Sequence, residues 1–157
     1  MLNTHKKIIV IVPCYNESAA IASVLQAFPH KELSRLKWTL EVIVVDNNST
    51  DCTGEIARRH GAEVIIEKIQ GKGNAMLLGL RAVPDDADYV VMLDGDDTYK
   101  GKEIFRLIEP LESGFSDVII GSRLGGKVRD GAFKTQNRMA NWFYTFLVRQ
   151  MYRANVT

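Results

Sequence analysis

The sequence has 157 residues, of which 46% are hydrophobic and 25% charged, and its net charge at pH 7 is +1. This is the size and composition of one globular domain with a sizeable core. No apolar run approaches the roughly 20 residues that span a bilayer, and the run at residues 8–12 is too short for a secretory signal, so we expect a cytoplasmic protein.

Short β-branched runs alternate with helical patterns along the chain. The predicted strands are Ile8–Val12, Leu40–Val45, Val64–Ile66, Tyr89–Leu93 and Val118–Ile120. The predicted helices are Ser18–Phe28, Asp51–His60, Gly73–Ala82 and Lys102–Leu111, with Ser18 and Asp51 as N-caps and Gly61 as a C-cap. Strands separated by helices in this rhythm predict βαβ units and one parallel sheet, hence a single α/β domain.

Largely polar or charged segments follow the first, second, fourth and fifth of these strands. These segments are 13–17, 46–51, 94–98 and 121–123. In open α/β sheets, ligands bind outside the carboxyl ends of the strands. The pattern therefore predicts a binding site at that edge of the sheet.

The segment after the fourth strand carries Asp94, Asp96 and Asp97 within four residues. Carboxylates this close repel one another unless a cation lies among them, and hard oxygen ligands favour Mg²⁺ or Mn²⁺. A plain acidic turn is the alternative, since Asp-Gly-Asp-Asp is also turn composition. The strand-end position favours a divalent-cation site.

Two other segments carry binding chemistry. Asp46 ends an apolar strand, where its carboxylate is placed to accept hydrogen bonds from a nucleobase; capping of the next helix is the alternative role. Residues 70–75 open the third helix, and its free N–H groups together with Lys72 predict an anion site, although a simple loop-to-helix turn fits nearly as well. The two cysteines, Cys14 and Cys52, have no CxxC partner and are predicted to be reduced, partly buried thiols.

The end of the chain is basic. Residues 118–157 hold seven basic residues and one acidic residue, which indicates either an anionic partner or a solvated helix face. Residues 135–152 have a helical pattern with one apolar, aromatic face flanked by arginines. Such a helix either lies in a membrane interface or packs on a core.

Taken together, three motifs resemble family 2 glycosyltransferases: residues 11–17 (IVPCYNE), 44–51 (VVDNNSTD) and 93–97 (LDGDD). With residues 71–75 (GKGNA) and 121–123 (GSR), the chain resembles the dolichol- or polyprenyl-phosphate mannosyl- and glucosyltransferase branch. The resemblance covers essentially all 157 residues. It implies a three-layer α/β/α GT-A fold with a mainly parallel sheet.

The resemblance also implies roles for individual residues. Pro13, Tyr15 and Glu17 would line a nucleoside pocket, with Asp46 on the base and Lys72 near the phosphates of a GDP- or UDP-sugar. Asp94 and Asp96 would be the DxD pair that holds Mg²⁺ or Mn²⁺, although Thr98 stands where some relatives have a Gln ligand. Arg123 and Arg138 would grip the phosphate of a polyprenyl phosphate acceptor. Residues 1–98 would bind the nucleotide sugar, and residues 99–157 would begin an acceptor part truncated at its C-terminal side, on the cytoplasmic face of a membrane.

The expected reaction is a single inverting displacement. A phosphate monoester is already an anionic nucleophile near neutral pH, so positioning, a cation and an arginine clamp suffice without a general base. No nucleic-acid partner is expected. Three alternatives remain open: a haloacid-dehalogenase-type phosphatase with Asp94 as nucleophile, a sugar nucleotidyltransferase, and a non-catalytic nucleotide-binding α/β module.

Overall fold

Four parallel strands form one sheet in the order β3-β2-β1-β4 in the computed structural model of the protein. The structure describes residues 5–96, 101–121, 144–147 and 149–151. The strands are β1 (Lys6–Cys14), β2 (Trp38–Asp46), β3 (Glu63–Ile66) and β4 (Tyr89–Met92). The helices are α1 (Ile21–Gln26), α2 (His30–Arg35), α3 (Thr53–Arg59), α4 (Lys72–Arg81) and α5 (Ile104–Glu112), the last preceded by a 3₁₀ turn at Gly101–Glu103.

The alternating side chains of the central strand β1 point into two separate cores. Ile8, Val10 and Val12 pack with residues of α1, α2, α3 and α5 on one face of the sheet. Ile9 and Ile11 pack on the other face, where α4 contributes its buried residues. This explains why the strands read as continuous Val/Ile runs, and it confirms the three-layer α/β/α prediction.

The register brings the ends of β1 and β2 together, because Cys14 lies opposite Asp46. On the other side of β1, Ile11 lies opposite Met92, so the segment after β4 emerges beside the end of β1. The chain runs outward from β1 to β3 and then returns to β1's other side at β4. The switch point of the sheet is therefore between β1 and β4.

Several predicted elements are confirmed with shifted ends. All four strands up to β4 are present, and Gly61 adopts φ +84° after α3, with Gly61 N–H bonded to Arg58 O and Ala62 N–H to Ala57 O. This pair of bonds is the Schellman ending that the C-cap prediction implied. The predicted helix Lys102–Leu111 is divided into the 3₁₀ turn and α5.

Three sequence predictions about the elements were wrong, and one helix was missed. Ser18 is not an N-cap, because α1 begins only at Ile21, with Ala20 as its capping residue. Asp51 is not the N-cap of α3 either; that position is Cys52, which makes no side-chain capping bond. Val118–Ile120 is not a strand, and Val118 and Ile120 are largely exposed. Helix α2 was not predicted, since its sequence HKELSR is almost entirely polar and buries only Leu33.

The chain divides into two units, Met1–Phe115 and Ser116–Thr157. The first holds the sheet and all helices named above. In the second, residues 144–147 and 149–151 are helical, within the predicted helix 135–152. Within the described ranges, no helix is both long and apolar enough to cross a membrane.

Candidate active site

The loops at the carboxyl ends of the strands enclose a cavity of about 460 Å³ at the switch point of the sheet. Six predicted site residues line it: Pro13, Tyr15, Glu17, Lys72, Asp94 and Asp96. Two more, Arg123 and Arg138, lie outside the described residues, as do Asp97 and Thr98. Because β1 and β4 are neighbours, residues 80 positions apart in the sequence face the same space.

Hydrogen bonds join the loop after β1 to the loop after β2. Asn16, at φ +55°, donates its backbone N–H to Ser49 Oγ (3.0 Å) and accepts the Thr50 N–H on its side-chain oxygen (2.8 Å). Glu17 N–H donates to the buried hydroxyl of Thr53 (2.9 Å). These cross-links fix the backbone that carries Tyr15 and Glu17 into the cavity wall.

Asp51 completes this cross-link. Its carboxylate accepts the N–H of Ser18 (3.1 Å), the N–H of Thr53 (3.0 Å) and the Thr53 hydroxyl. Hydrogen bonds to the ionised form, above all that from the Thr53 side chain, lower the pKa of Asp51 to about 2. Asp51 therefore joins α3 to the β1–α1 loop at Ser18, a role that its sequence position alone did not reveal.

The structure does not bring Asp46 into the cavity wall. Its Oδ1 accepts the N–H of Ser49 (2.9 Å), and a Cβ added at Gly54 would lie only 2.8 Å from its Oδ2. One carboxylate oxygen thus holds the turn after β2, and the other lies close against the start of α3.

Asn47, which sequence reasoning missed, lines the cavity and is only 6% exposed. Its side chain donates to Glu67 O (3.1 Å) and Ile69 O (2.8 Å) and accepts the N–H of Gly71 (2.7 Å). The sequence signal for this role was the position of Asn47 directly after a buried strand. An amide there can both donate and accept hydrogen bonds and so can join two loops.

Helix α4 presents its N-terminus to the cavity, as predicted for residues 70–75. Gly71 precedes it at φ 140° and ψ 127°, a backbone conformation that residues with a Cβ rarely adopt. Lys72 follows, and its Nζ lies 2.6 Å from Asp94 Oδ1. The first-turn N–H groups of a helix have no intrahelical acceptor, so this end of the cavity favours an anion.

Three acidic residues also line the cavity: Glu17, Asp94 and Asp96. Burial, followed by the charges of Asp96, Asp51 and Asp94, raises the pKa of Glu17. Burial also raises the pKa of Cys14 to about 12, so its thiol stays protonated near neutral pH. Cys14 is buried as predicted, whereas Cys52 is exposed, and both are free thiols.

The donor set suits a hard divalent cation. Within the part of the chain that the structure describes, no three side chains of His, Cys, Asp or Glu are grouped to hold a metal. Asp94 and Asp96 offer carboxylate oxygens, and Mg²⁺-type sites are commonly built from one or two carboxylates with ligand phosphates and water. The residues present therefore fit a cation that is bound together with a phosphorylated ligand.

A parallel sheet with an acidic cavity and a helix N-terminus at its switch point defines an α/β protein of the kind that binds phosphorylated ligands at strand ends. The sequence profile described as glycosyl transferase family 2 matches residues 9–156. The chain belongs to this family. The match places the chain in a glycosyltransferase family and not with the haloacid-dehalogenase-type phosphatases or the sugar nucleotidyltransferases.

Curated relatives agree with this assignment. Glycosyltransferase AglJ of Haloferax volcanii is 36% identical over 140 residues, a match covering 88% of this chain and 43% of AglJ. A dolichyl-phosphate hexose transferase of the same organism is 36% identical over 122 residues, covering 77% of this chain and 50% of that protein. The chain thus spans half or less of the length of these two relatives.

Solved structures agree as well. Glucosyl-3-phosphoglycerate synthase from Mycobacterium tuberculosis, in complex with Mn²⁺, UDP and glucosyl-3-phosphoglycerate, superposes with a TM-score of 0.57 at 31% identity. The match covers 68% of this chain and 39% of that one. The fold is accordingly of the GT-A type.

Proposed function

We propose that this chain binds a nucleotide-diphosphate sugar and carries the donor site of a hexosyltransferase whose acceptor is a polyprenyl phosphate. The observation that carries the donor site is the convergence of Asp94, Asp96 and Lys72 with Tyr15 and Glu17 on one cavity. The acceptor is proposed from the resemblance of the chain to a dolichyl-phosphate hexose transferase.

The donor diphosphate is assigned to the end of the cavity near α4. Lys72 and the first turn of α4 supply positive potential there, and Asp94 and Asp96 would hold the divalent cation, Mg²⁺ or Mn²⁺. When bound, the cation would neutralise charge on the leaving diphosphate. A phosphate oxygen of the donor would compete with Asp94 for the ammonium group of Lys72.

The nucleoside is assigned to the wall formed by Pro13, Tyr15 and Glu17. The Tyr15 side chain is 48% exposed although it lines the cavity, which leaves ring surface for a base or ribose. Asp46 stays the proposed base contact on the family resemblance alone, since it does not line the cavity and its Oδ1 already accepts the Ser49 N–H. Whether the base is guanine or uracil depends on contacts that no motif specifies.

The chemistry requires little of the protein beyond positioning. An oxygen of the acceptor phosphate attacks the anomeric carbon, the bond from that carbon to the diphosphate oxygen breaks, and the nucleoside diphosphate leaves with inversion. The acceptor oxygen is already anionic near neutral pH, so no side chain has to remove a proton. Arg123 and Arg138 are proposed to hold the acceptor phosphate as charge-assisted hydrogen-bond donors.

A membrane-surface location follows from the acceptor. In the second unit, the helical residues Tyr144, Phe146 and Met151 are exposed and lie in a basic stretch of sequence. Exposed aromatic and apolar side chains beside arginines support a helix that lies in the interface at the cytoplasmic face.

Calorimetric titration tests the donor site. GDP- and UDP-sugars are titrated into wild type, Asp96→Ala and Asp85→Ala, with and without Mn²⁺. Asp85 is an exposed carboxylate in the loop before β4, outside the cavity, so its variant matches the charge change. We expect Mn²⁺-dependent binding of one nucleotide to wild type and Asp85→Ala, weakened at least tenfold in Asp96→Ala. Equal binding by all three proteins would contradict the assignment of Asp96.

A transfer assay tests the acceptor. The donor that binds is offered with a polyprenyl phosphate in detergent and, separately, with 3-phosphoglycerate. Transfer to the lipid supports the proposal, and transfer to phosphoglycerate alone would replace the proposed acceptor by a small phosphorylated acid. Loss of lipid transfer in Arg123→Gln, with donor binding unchanged, would support the role of that arginine.

A further inference from the structure

Asn47 connects two walls of the cavity that are separated in sequence. Its backbone N–H donates to Cys14 O (2.9 Å) and so extends the pairing of β1 with β2 by one residue. Its side chain makes three hydrogen bonds, all to the backbone between Glu67 and Gly71. One residue thus ties the end of the central strand to the segment that leads into α4.

The other hydrogen bonds of the segment 67–71 are mostly local, and the Asn74 side chain of α4 donates to Ile69 O (3.5 Å) and Gln70 O (3.4 Å). Glu67 N–H donates to Asp46 O (2.9 Å), and Ile69 N–H donates to the side chain of Glu67 (2.8 Å). Apart from Glu67, which is half-buried, the residues from Lys68 to Gly71 are exposed, Ile69 to 68%. Apolar packing therefore does not hold this segment, and its course depends on hydrogen bonds.

Because the Asn47 amide is buried, leaving any of its hydrogen-bonding groups unpaired would cost stability. Of the polar residues in the described ranges, only Asn47 and Thr53 are buried. Both polar groups of the amide are hydrogen-bonded: the Nδ2 group donates to two carbonyls and the Oδ1 atom accepts one N–H. An aspartate in its place would keep the acceptor but would set a negative charge against the carbonyls of Glu67 and Ile69.

We infer that Asn47 is a positioning residue for the donor diphosphate, acting through the segment 67–71 on Gly71, Lys72 and the first turn of α4. The inference rests on the proposed donor site. Gly71 is the residue whose unusual φ turns the chain into α4, and Asn47 Oδ1 holds its N–H at 2.7 Å. Fixing that amide fixes where α4 begins and hence where its free N–H groups and Lys72 face the cavity.

Hydrogen exchange read by NMR tests the anchor without any ligand. In wild type, we expect the side-chain NH₂ of Asn47 to exchange at least tenfold more slowly than that of Asn48, its exposed neighbour. In Asn47→Ala, the Gly71 amide should lose at least tenfold protection. In Asn47→Asp, it should keep its protection, because the acceptor remains. Equal exchange of the two wild-type side chains would overturn the inference, whether or not the variants fold.

Ligand binding tests the consequence. Asn47→Ala loses all three side-chain bonds, and Asn47→Asp loses the two donations to Glu67 O and Ile69 O and repels these carbonyls. Both variants should therefore bind the nucleoside diphosphate about tenfold more weakly and raise the KM for the donor, leaving the KM for the acceptor unchanged. Asn48→Asp carries the same charge change one residue away and should stay within twofold of wild type. Hydrogen exchange of the backbone amides of residues 14–18 should be the same in the Asn47 variants as in wild type. A general loosening of the protein would instead speed exchange both there and in the segment 67–71. Affinity in Asn47→Ala equal to that in Asn48→Asp would overturn the inference.

These two measurements separate the two proposals. If wild type binds no nucleoside diphosphate, the proposed donor site fails. The exchange pattern of the Gly71 amide then still decides whether Asn47 holds the 67–71 segment.

Discussion

Lys72 Nζ lies 2.6 Å from Asp94 Oδ1, so the lysine that begins α4 neutralises the aspartate that follows β4. The two residues are 22 positions apart, at the start of α4 and after β4, and both line the cavity. The Lys72 side chain is 62% exposed and that of Asp94 is 23% exposed, so the pair is open to solvent on the lysine side. An exposed pair of this kind contributes at most about 1 kcal/mol to stability.

The first prediction concerns this pair. Lys72→Met should leave the free energy of unfolding within about 1 kcal/mol of wild type, because the pair is solvent-screened. Binding of Mn²⁺ alone should strengthen, since Asp94 loses its competing ammonium. Binding of the nucleoside diphosphate should weaken about tenfold, or about 1.4 kcal/mol.

Calorimetry with Mn²⁺ alone and with nucleotide measures the two effects separately. Lys68→Met, in the same exposed stretch but outside the cavity, is the matched control. If Lys72→Met and Lys68→Met behave alike, Lys72 has no role in the donor site.

The second prediction concerns Gly73. A Cβ at this position would meet nothing within 4 Å, so Gly73→Ala fits the protein without strain. Alanine is the better helix former, so the free energy of unfolding should rise by up to about 1 kcal/mol. If the donor diphosphate approaches the backbone of the first turn, nucleotide affinity should nevertheless fall. Urea unfolding and calorimetry give the two values, and unchanged affinity would place the diphosphate away from this turn.

The third prediction concerns the packing of Gly95 on Cys14. A Cβ at Gly95 would lie 2.5 Å from Cys14 Sγ, so Gly95→Ala should destabilise the protein by about 1–3 kcal/mol. Cys14→Ala removes the sulfur and leaves space for the added methyl group. The double variant should therefore be more stable than the sum of the single effects predicts. Urea unfolding of all four proteins measures the coupling, and strict additivity would contradict the contact.

The fourth prediction concerns Asp51 and pH. Its pKa is lowered to about 2 in the folded protein, below the ordinary value of about 3.9. The stabilisation by its charge is therefore complete above about pH 4 and is lost as the pH falls toward 2. Asp51→Asn should remove this part of the pH dependence. The free energies of unfolding of wild type and Asp51→Asn are measured at pH 5 and at pH 2.5. If wild type differs from the variant by the same amount at both pH values, the ionised carboxylate does not have this role.

Local sequence patterns predicted much of the scaffold. The strands β1 to β4 were found from their β-branched runs, because a strand covered on both faces must be apolar along its whole length. The Schellman ending at Gly61 was also predictable, since it depends on residues close together in the chain. Val118–Ile120 has the same composition, yet these residues form no strand, because composition records propensity and not whether a partner strand is present.

The features of the site likewise divide into those that the sequence predicted and those that only the tertiary structure decided. The sequence by itself determined that polar residues follow the apolar strands, and it predicted that Asp94, Asp96 and Lys72 share one site, which the cavity lining confirms. Only the tertiary structure decided that Lys72 contacts Asp94, that the Asp46 carboxylate holds Ser49, and that the Asn47 amide reaches Glu67, Ile69 and Gly71. The Lys72 and Asn47 contacts join loops that follow different strands, and the Asp46 contact depends on how the turn after β2 folds. The order and register of the strands fix which loops meet, and no periodicity within a single segment encodes that order.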